Sequence, residues 1–391
     1  MEKVNCKDFE FMRTFKIKIF PTESQKDRLF ELMNLYRFCY NWALAKEKES
    51  YDSRNGFIEN FELNKLFKEF RNSGEDWIKS IPLNTANRAI GDCIQAFKYF
   101  FNKSARYPKF KSKKNYDNMK FSVRGQRVKF YNNFVSIEGM GYGNHIFCGN
   151  HNIPKGKNIK YYNCRISFDQ DDFWLCVSIK ILNPIVYDTS DEILGIDVGV
   201  KKLAVLSNGK VYESPNTIKL EKRLKRKQKR YQRDIYRRVN EARHMKTKYE
   251  NINPTKNELK RAKEYRKTVR RINNIHTSFI NQMTTEIVNT MPKRIVIEHL
   301  NIKGMVTNHY IADDIYKSRF REIHNQIKYK SNERGIEVVE ADMFFPSSQI
   351  CSNCGNRQKI GTARIYKCPI CGLEIDRDLN AAINLKNYSN L

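Results

Sequence analysis

The chain has 391 residues, with 72 Lys and Arg against 43 Asp and Glu, a formal net charge of +29 and 12% aromatic residues. That length supports two or three domains with real cores, and the aromatic content excludes a basic disordered tail. The charge excess points to a polyanionic partner, and with no apolar run of membrane length and no leader pattern at Met1-Glu-Lys-Val, no membrane role and an intracellular location are expected.

Residues 12–20 alternate basic and apolar side chains, which predicts a half-exposed strand with a cationic face. Pro21 ends it, and Thr22 with Gln25 makes a capping box for a following helix. Leu29, Met33, Tyr36, Tyr40 and Ala43 share one face of that helix, so the Tyr36–Trp42 cluster reads as helix core rather than as a stacking surface for bases. Helical pattern continues over Phe61–Phe70 and Asn84–Phe101, and residues 106–114 form a basic connector. From about 118 to 183 the period changes to two, as in Arg127–Tyr131, Cys164–Phe168 and Trp174–Ile181. A strand, an inserted helical module and then the rest of a small β-barrel are expected. Cys6, Cys39, Cys93, Cys148, Cys164 and Cys176 lack paired spacing and are read as reduced, buried thiols.

At Glu192 the pattern changes again. Ile193–Asp197 is a short buried strand ending in a carboxylate, and Asn208-Gly209 predicts a type I′ hairpin between the two strands that follow. Residues 217–290 are charged helical pattern interrupted near Pro254, and Arg294–Glu298 is a second buried strand ending in a carboxylate. Tyr316, Phe320, Ile323 and Ile327 mark one helix that stops at Gly335, followed by a strand to Asp342.

Cys351-x-x-Cys354 and Cys368-x-x-Cys371 carry the spacing of a tetrahedral zinc site, each pair followed by a glycine suited to a positive φ. Behind them Asp376 and Asp378 open a helix; Asp376 is the expected N-cap, which leaves Asp378 for other work. The element order from 192 (three strands, then alternating helices and strands) is that of an RNase H-like fold. In it Asp197, Glu298 and Asp378 converge, an arrangement that makes physical sense if they hold two Mg²⁺ or Mn²⁺ ions for phosphodiester chemistry. Asn380, on the same helix, is either a supporting side chain or an ordinary exposed amide.

The motifs Gly195-Ile-Asp197-Val-Gly199, Ile297-Glu298-His-Leu-Asn301, Ser347-Ser-Gln-x-Cys351-x-x-Cys354-Gly and Asp376-Arg-Asp378-Leu-Asn380-Ala-Ala resemble those of the TnpB family, as do Phe20-Pro21-Thr22, Tyr36–Leu44 and Tyr107–Lys111. The resemblance covers nearly the whole chain. It implies a wedge β-barrel (residues 1–20 and 113–190) interrupted by a helical recognition domain (21–112). A RuvC-like nuclease (191–391) with an inserted zinc ribbon (347–375) follows. It implies catalytic Asp197, Glu298 and Asp378 with two Mg²⁺, and Cys351, Cys354, Cys368 and Cys371 on one structural Zn²⁺. The implied partners are a guide RNA and double-stranded target DNA, and the implied activity is transposon-encoded, RNA-guided DNA cleavage. A strand-transferring transposase, a compact CRISPR effector and a non-catalytic repressor are the alternatives. Lys219–Arg271, with 22 basic against six acidic residues, is the expected phosphate-contacting surface.

Overall fold

The computed structural model describes residues 10–388 except 55, 113–118, 142, 155, 157–158, 170, 183–186, 249–251, 300–306, 308–311 and 362. Cys6 and Asn301, named above, and residues 113 and 114 of the basic connector lie outside the described residues. The chain divides into two compact units, Met1–Pro184 and Ile185–Leu391. No helix among the described residues is long and apolar enough to cross a membrane.

The first unit starts with β1 (Glu10–Ile19), followed by α1 (Glu23–Asp52), α2 (Asn60–Ser73), α3 (Asp76–Lys79) and α4 (Leu83–Phe101). The capping box forms: the Thr22 N–H donates to Gln25 Oε1 at 3.0 Å and the Gln25 N–H to Thr22 Oγ1 at 3.4 Å. The expected α1 face is fully inside, with Leu29, Met33, Tyr36, Tyr40 and Ala43 all buried. Trp42 packs on Phe67 and Phe70 with ring centroids 5.0 and 5.6 Å away, so the cluster is core.

The chain returns through β2 (Lys120–Arg124), β3 (Val128–Tyr131), β4 (Phe134–Ile137), β5 (His145–Phe147), β6 (Ile159–Asp169) and β7 (Asp172–Leu182). One antiparallel sheet has the order β1-β7-β6-β2 and another the order β3-β4-β5. Among the described residues one isolated bridge joins them, where the Phe20 N–H donates to the Phe147 carbonyl at 2.7 Å. The cysteines described in this unit are free thiols.

The second unit opens with β8 (Ile193–Asp197), β9 (Lys202–Leu206) and β10 (Val211–Glu213). After α5 (Ile218–His244) and α6 (Lys256–Asn289) come β11 (Arg294–Glu298), α7 (Ala312–Ser318), α8 (Phe320–Glu333) and β12 (Glu337–Ala341). The hairpin β13 (Ile365–Lys367) and β14 (Glu374–Asp376) leads into α9 (Arg377–Lys386). The sheet order is β10-β9-β8-β11-β12, with β8, β11 and β12 parallel.

Two local expectations are corrected. The Leu206–Lys210 connection is not type I′: Gly209 has φ +87°, but Asn208 is not among the positive-φ residues, and the Gly209 N–H donates to the Leu206 carbonyl. Both central residues of that turn therefore have negative φ, and the left-handed Gly209 closes a three-residue loop. The single helix expected around Tyr316–Ile327 is two, because Arg319 adopts a left-handed φ of 53° between α7 and α8 and leaves Tyr316 exposed.

Candidate active site and cysteine ribbon

The sheet of the second unit is covered on both faces, and strand alternation assigns each residue to one of them. Leu194, Ile196, Ile295 and Ile297 pack with Ile280, Ile287, Ile323 and Ile327 of α6 and α8. Each such side chain, fully buried, contributes roughly 1.5–3 kcal/mol. Val296 packs instead with Leu385 of α9, and Gly195 lies directly beneath that helix. Asp197 is in phase with Gly195, and Glu298 with Val296. Both carboxylates therefore end their strands on the α9 side, and the pairings Val296↔Gly195 and Ile297↔Ile196 bring the two strand ends level. Asp378 occupies the first turn of α9.

The electrostatics report the convergence. Burial pushes the Asp197 carboxyl well above the ordinary range, and the charges of Glu298 and Asp378 push it further. Burial also raises Glu298. Asp376 does the capping job, accepting from the N–H groups of Asp378 and Leu379 at 3.0 and 3.2 Å. Burial alone would raise it, but the hydrogen bond from Lys202 and these N–H groups outweigh that and hold it below its usual value. The three carboxylates come from the ends of β8 and β11 and the first turn of α9, and each offers oxygen atoms as ligands. Oxygen is the ligand type that hard divalent cations prefer.

Lys202 was legible only as a strand residue, yet its Nζ lies 2.7 Å from Asp376 and 3.6 Å from Asp378. Its position at the start of the strand antiparallel to β8 is the signal that could have found it. Arg377 reaches Asp378 from the other side at 3.3 Å.

The four ribbon cysteines bring their Sγ atoms within 4.8 Å of one another. Cys351 and Cys371 are 3.6 Å apart and Cys354 and Cys368 3.5 Å. Tetrahedral thiolates at the usual zinc–sulfur length sit about 3.8 Å apart, so the quartet fits zinc with little adjustment. Gly355 and Gly372 take φ of 75° and 71°, and their N–H groups donate to the carbonyls of Cys351 and Cys368. A hydrogen bond from the Asn353 side chain and one from the Leu373 backbone pull the Cys371 thiol down, while Cys354, hydrogen-bonded to its three neighbours, is pushed up, so the quartet shares its protons unevenly.

Three family models match in chain order: one described as "Helix-turn-helix domain" over residues 12–56, one described as "Probable transposase" over 180–309, and one described as "Cas12f1-like, TNB domain" over 320–385. The first two carry the IS605 OrfB name. A "Putative RNA-guided DNA endonuclease" of Streptomyces pristinaespiralis is 26% identical over 389 residues, covering 95% of this chain and 88% of its own. The TnpB-like protein L79 of Acanthamoeba polyphaga mimivirus is 25% identical over 408 residues, covering 96% of this chain and 73% of its own. Over nearly its whole length the chain is similar to TnpB-like proteins and to proteins named RNA-guided DNA endonucleases. Its fold is also that of the protein in a cryo-EM structure of a Cas12f1–sgRNA–target DNA complex, with a TM-score of 0.57 at 14% identity over 97% of this chain and 99% of the other.

The ribbon is fastened to the helix that carries Asp378. Asn380 is buried, not an exposed amide, and Asn384 beside it donates to the carbonyls of Ser347 and Ile350 at 2.8 and 2.6 Å. The basic helices α5 and α6 are partly compensated across their hairpin, through Arg261–Asp234 at 2.7 Å and Arg238–Glu258 at 2.6 Å. Most of their remaining cations face outward.

Proposed function

We propose that this chain is an RNA-guided endonuclease, encoded by a transposable element, that hydrolyses phosphodiester bonds of double-stranded DNA. The observation that carries the reading is the convergence of Asp197, Glu298 and Asp378 on one face at the ends of β8 and β11 and the start of α9. The names of relatives that match along nearly the whole chain support guidance by RNA and action on DNA.

Bound Mg²⁺ supplies a water acidified for attack and a Lewis acid for the leaving oxygen. The chain's part is placement. Asp197 and Glu298 are fixed by the ends of buried strands, and Asp378 by a helix whose start Asp376 caps. Lys202 neutralises Asp376 and keeps it on the cap. Cys351, Cys354, Cys368 and Cys371 hold one structural zinc. Residues 1–20 and 113–190 act as the wedge, 21–112 as the recognition domain and 191–391 as the nuclease. Guide pairing reads the sequence, and the excess of Lys and Arg holds the nucleic-acid backbones.

The test is cleavage of guide-matched DNA by the protein purified with its RNA. Asp197→Asn, Glu298→Gln and Asp378→Asn each remove cleavage and leave the discrete co-purifying RNA in place. Full activity without RNA, or unchanged activity in Asp197→Asn, sinks the reading. Joining of a DNA 3′ end to target, without free cleavage products, favours strand transfer, which the transposase description of residues 180–309 keeps in view.

A further inference from the structure

Wholly within the first unit lies a cavity of about 340 Å³, bordered by α1, the connector after α4 and the start of β2. Met33, Tyr36 and Phe110 give it apolar wall, Arg37, Lys111 and Lys120 give it three cations, and among the described residues no carboxylate lines it. The nearby carboxylate is Asp92, which already accepts from the Tyr36 hydroxyl at 2.7 Å and lies 4.0 Å from Arg165. Asn41 accepts from the Lys111 N–H at 2.8 Å and donates to the Lys111 carbonyl at 3.0 Å, so the Lys111 backbone is clasped on both sides. Its Nζ lies over the Tyr40 ring, 3.2 Å from the centroid, and among the described residues has no hydrogen-bond or ion-pair partner. Arg37 donates to the same carbonyl at 3.4 Å and keeps a buried Nε–H without a partner.

A lysine becomes a nucleophile when it is desolvated in an apolar pocket or set beside another cation, and Lys111 meets both conditions. Burial, and after it the charge of Lys120, bring its ammonium down from an ordinary 10.5 to about 8, against the opposing pull of Asp92. Burial and Arg165 lower Lys120 as well. At about pH 7.5 the uncharged fraction of such an amine exceeds that of an ordinary lysine by a factor on the order of a hundred. Cations crowded in one concavity without counter-charges also favour an anion between them, and the apolar wall suits a small carbon skeleton.

We propose that this cavity binds a small aldehyde or ketone that carries a phosphate, and that Lys111 condenses with it to an imine. Arg37 and Lys120 hold the phosphate, and Met33 and Phe110 cover the carbon skeleton. The Lys111 Nζ attacks the carbonyl carbon. A C–N double bond replaces the C–O double bond, and the two amine protons leave with the carbonyl oxygen as water. No oxidant or reductant is consumed. The site does not depend on the nuclease reading, whose carboxylates Asp197, Glu298 and Asp378 belong to the second unit.

The test uses the full chain with its guide RNA, pyridoxal 5′-phosphate as the probe and pyridoxal as the phosphate-free control. Imines are fixed with borohydride and located by peptide mass spectrometry. Lys111 takes up the phosphorylated probe at least about tenfold faster than the exposed lysines do. It reacts at least about tenfold more slowly with pyridoxal, and inorganic phosphate slows its reaction with the phosphorylated probe. Arg37→Gln and Lys120→Gln each erase the preference for the phosphorylated probe. Lys111→Met removes the adduct and leaves the other lysines labelled. Uniform labelling of all lysines, equal reaction with pyridoxal, or a preference unchanged in Arg37→Gln and Lys120→Gln overturns the site. The pyridoxal control and the phosphate competition are read on the wild type, so the proposal stands or falls even where a variant fails to fold.

Discussion

Asn380 clasps Ile350 and the residue two beyond it: its amide donates to the Ile350 carbonyl at 2.6 Å, and its oxygen accepts from the Ser352 N–H at 3.0 Å. One side chain on the Asp378 helix thus brackets the first cysteine knuckle. The ribbon and the third carboxylate are one mechanical piece.

Asn380→Ala therefore acts on both. The Ile350 carbonyl keeps Asn384, but the Ser352 N–H loses its acceptor at a cost of roughly 1–3 kcal/mol. The expected result is a lower Tm with zinc still bound and slower cleavage of guide-matched DNA. Differential scanning calorimetry with metal analysis checks it; an unchanged Tm and rate would show that the clasp does not matter.

Zinc removal goes further. Apart from Cys351 and Cys368 the ribbon buries Tyr366 and little else, so its fold has almost no apolar core to fall back on. Cys368→Ser is expected to lose zinc and abolish cleavage while the co-purifying RNA is retained. A variant that has lost zinc yet cuts at the wild-type rate refutes the coupling.

Much of this was legible in the sequence because local rules and the tertiary structure agree. The order of strands and helices puts Asp197 and Glu298 at the ends of two buried strands of one sheet, and the two-pair cysteine spacing gives the ribbon. What was not legible depends on contacts between distant segments. Lys202 is an ordinary strand lysine until the fold brings Asp376 to it, 174 residues later. Asn380 looks like an exposed helix amide until the knuckle docks. The turn at Asn208-Gly209 carries the residues of a type I′ hairpin, but the Ser207 N–H bonds to the Gly195 carbonyl, and the strand geometry there selects the longer loop. The helix break at Arg319 is likewise a tertiary effect, since its guanidinium is held by Thr277, Asn273 and Glu322.

A pH dependence resides in the first unit. Glu47 is 2% exposed; Oε2 accepts from the Ile58 N–H at 3.2 Å, and Oε1 has no partner. Burial pushes its carboxyl from an ordinary 4.5 to about 7. The folded state therefore holds that proton more tightly than the unfolded chain, and stability falls as pH rises from about 4.5 to 7. Glu47→Gln keeps an acceptor for Ile58 and removes the charge. Its Tm should exceed that of the wild type at pH 8, with the gap closing at pH 5. A gap of the same size at both values would overturn the assignment.

At Gly195 a single methyl group would disturb the helix that carries Asp378. A Cβ built on it would lie 2.0 Å from the Ala382 carbonyl oxygen and 2.4 Å from the Lys386 nitrogen, both backbone atoms of α9 that cannot rotate away. Gly195→Ala must push the helix off β8, at a cost of roughly 1–3 kcal/mol or more. Asp378 lies four residues before Ala382 on that helix and moves with it, whereas Asp197, two residues along β8, does not. A misplacement of about 1 Å at a reacting centre lowers a rate on the order of a hundredfold. The expected variant keeps its RNA, its zinc and its affinity for guide-matched DNA, and loses about that much in the cleavage step under single-turnover conditions. Gly209→Ala is the control: nothing lies within 4 Å of its Cβ, but its φ of +87° strains any side chain. That substitution should lower Tm and leave the cleavage rate of the folded protein unchanged. If the two variants cut equally well, helix contact at Gly195 does not position Asp378.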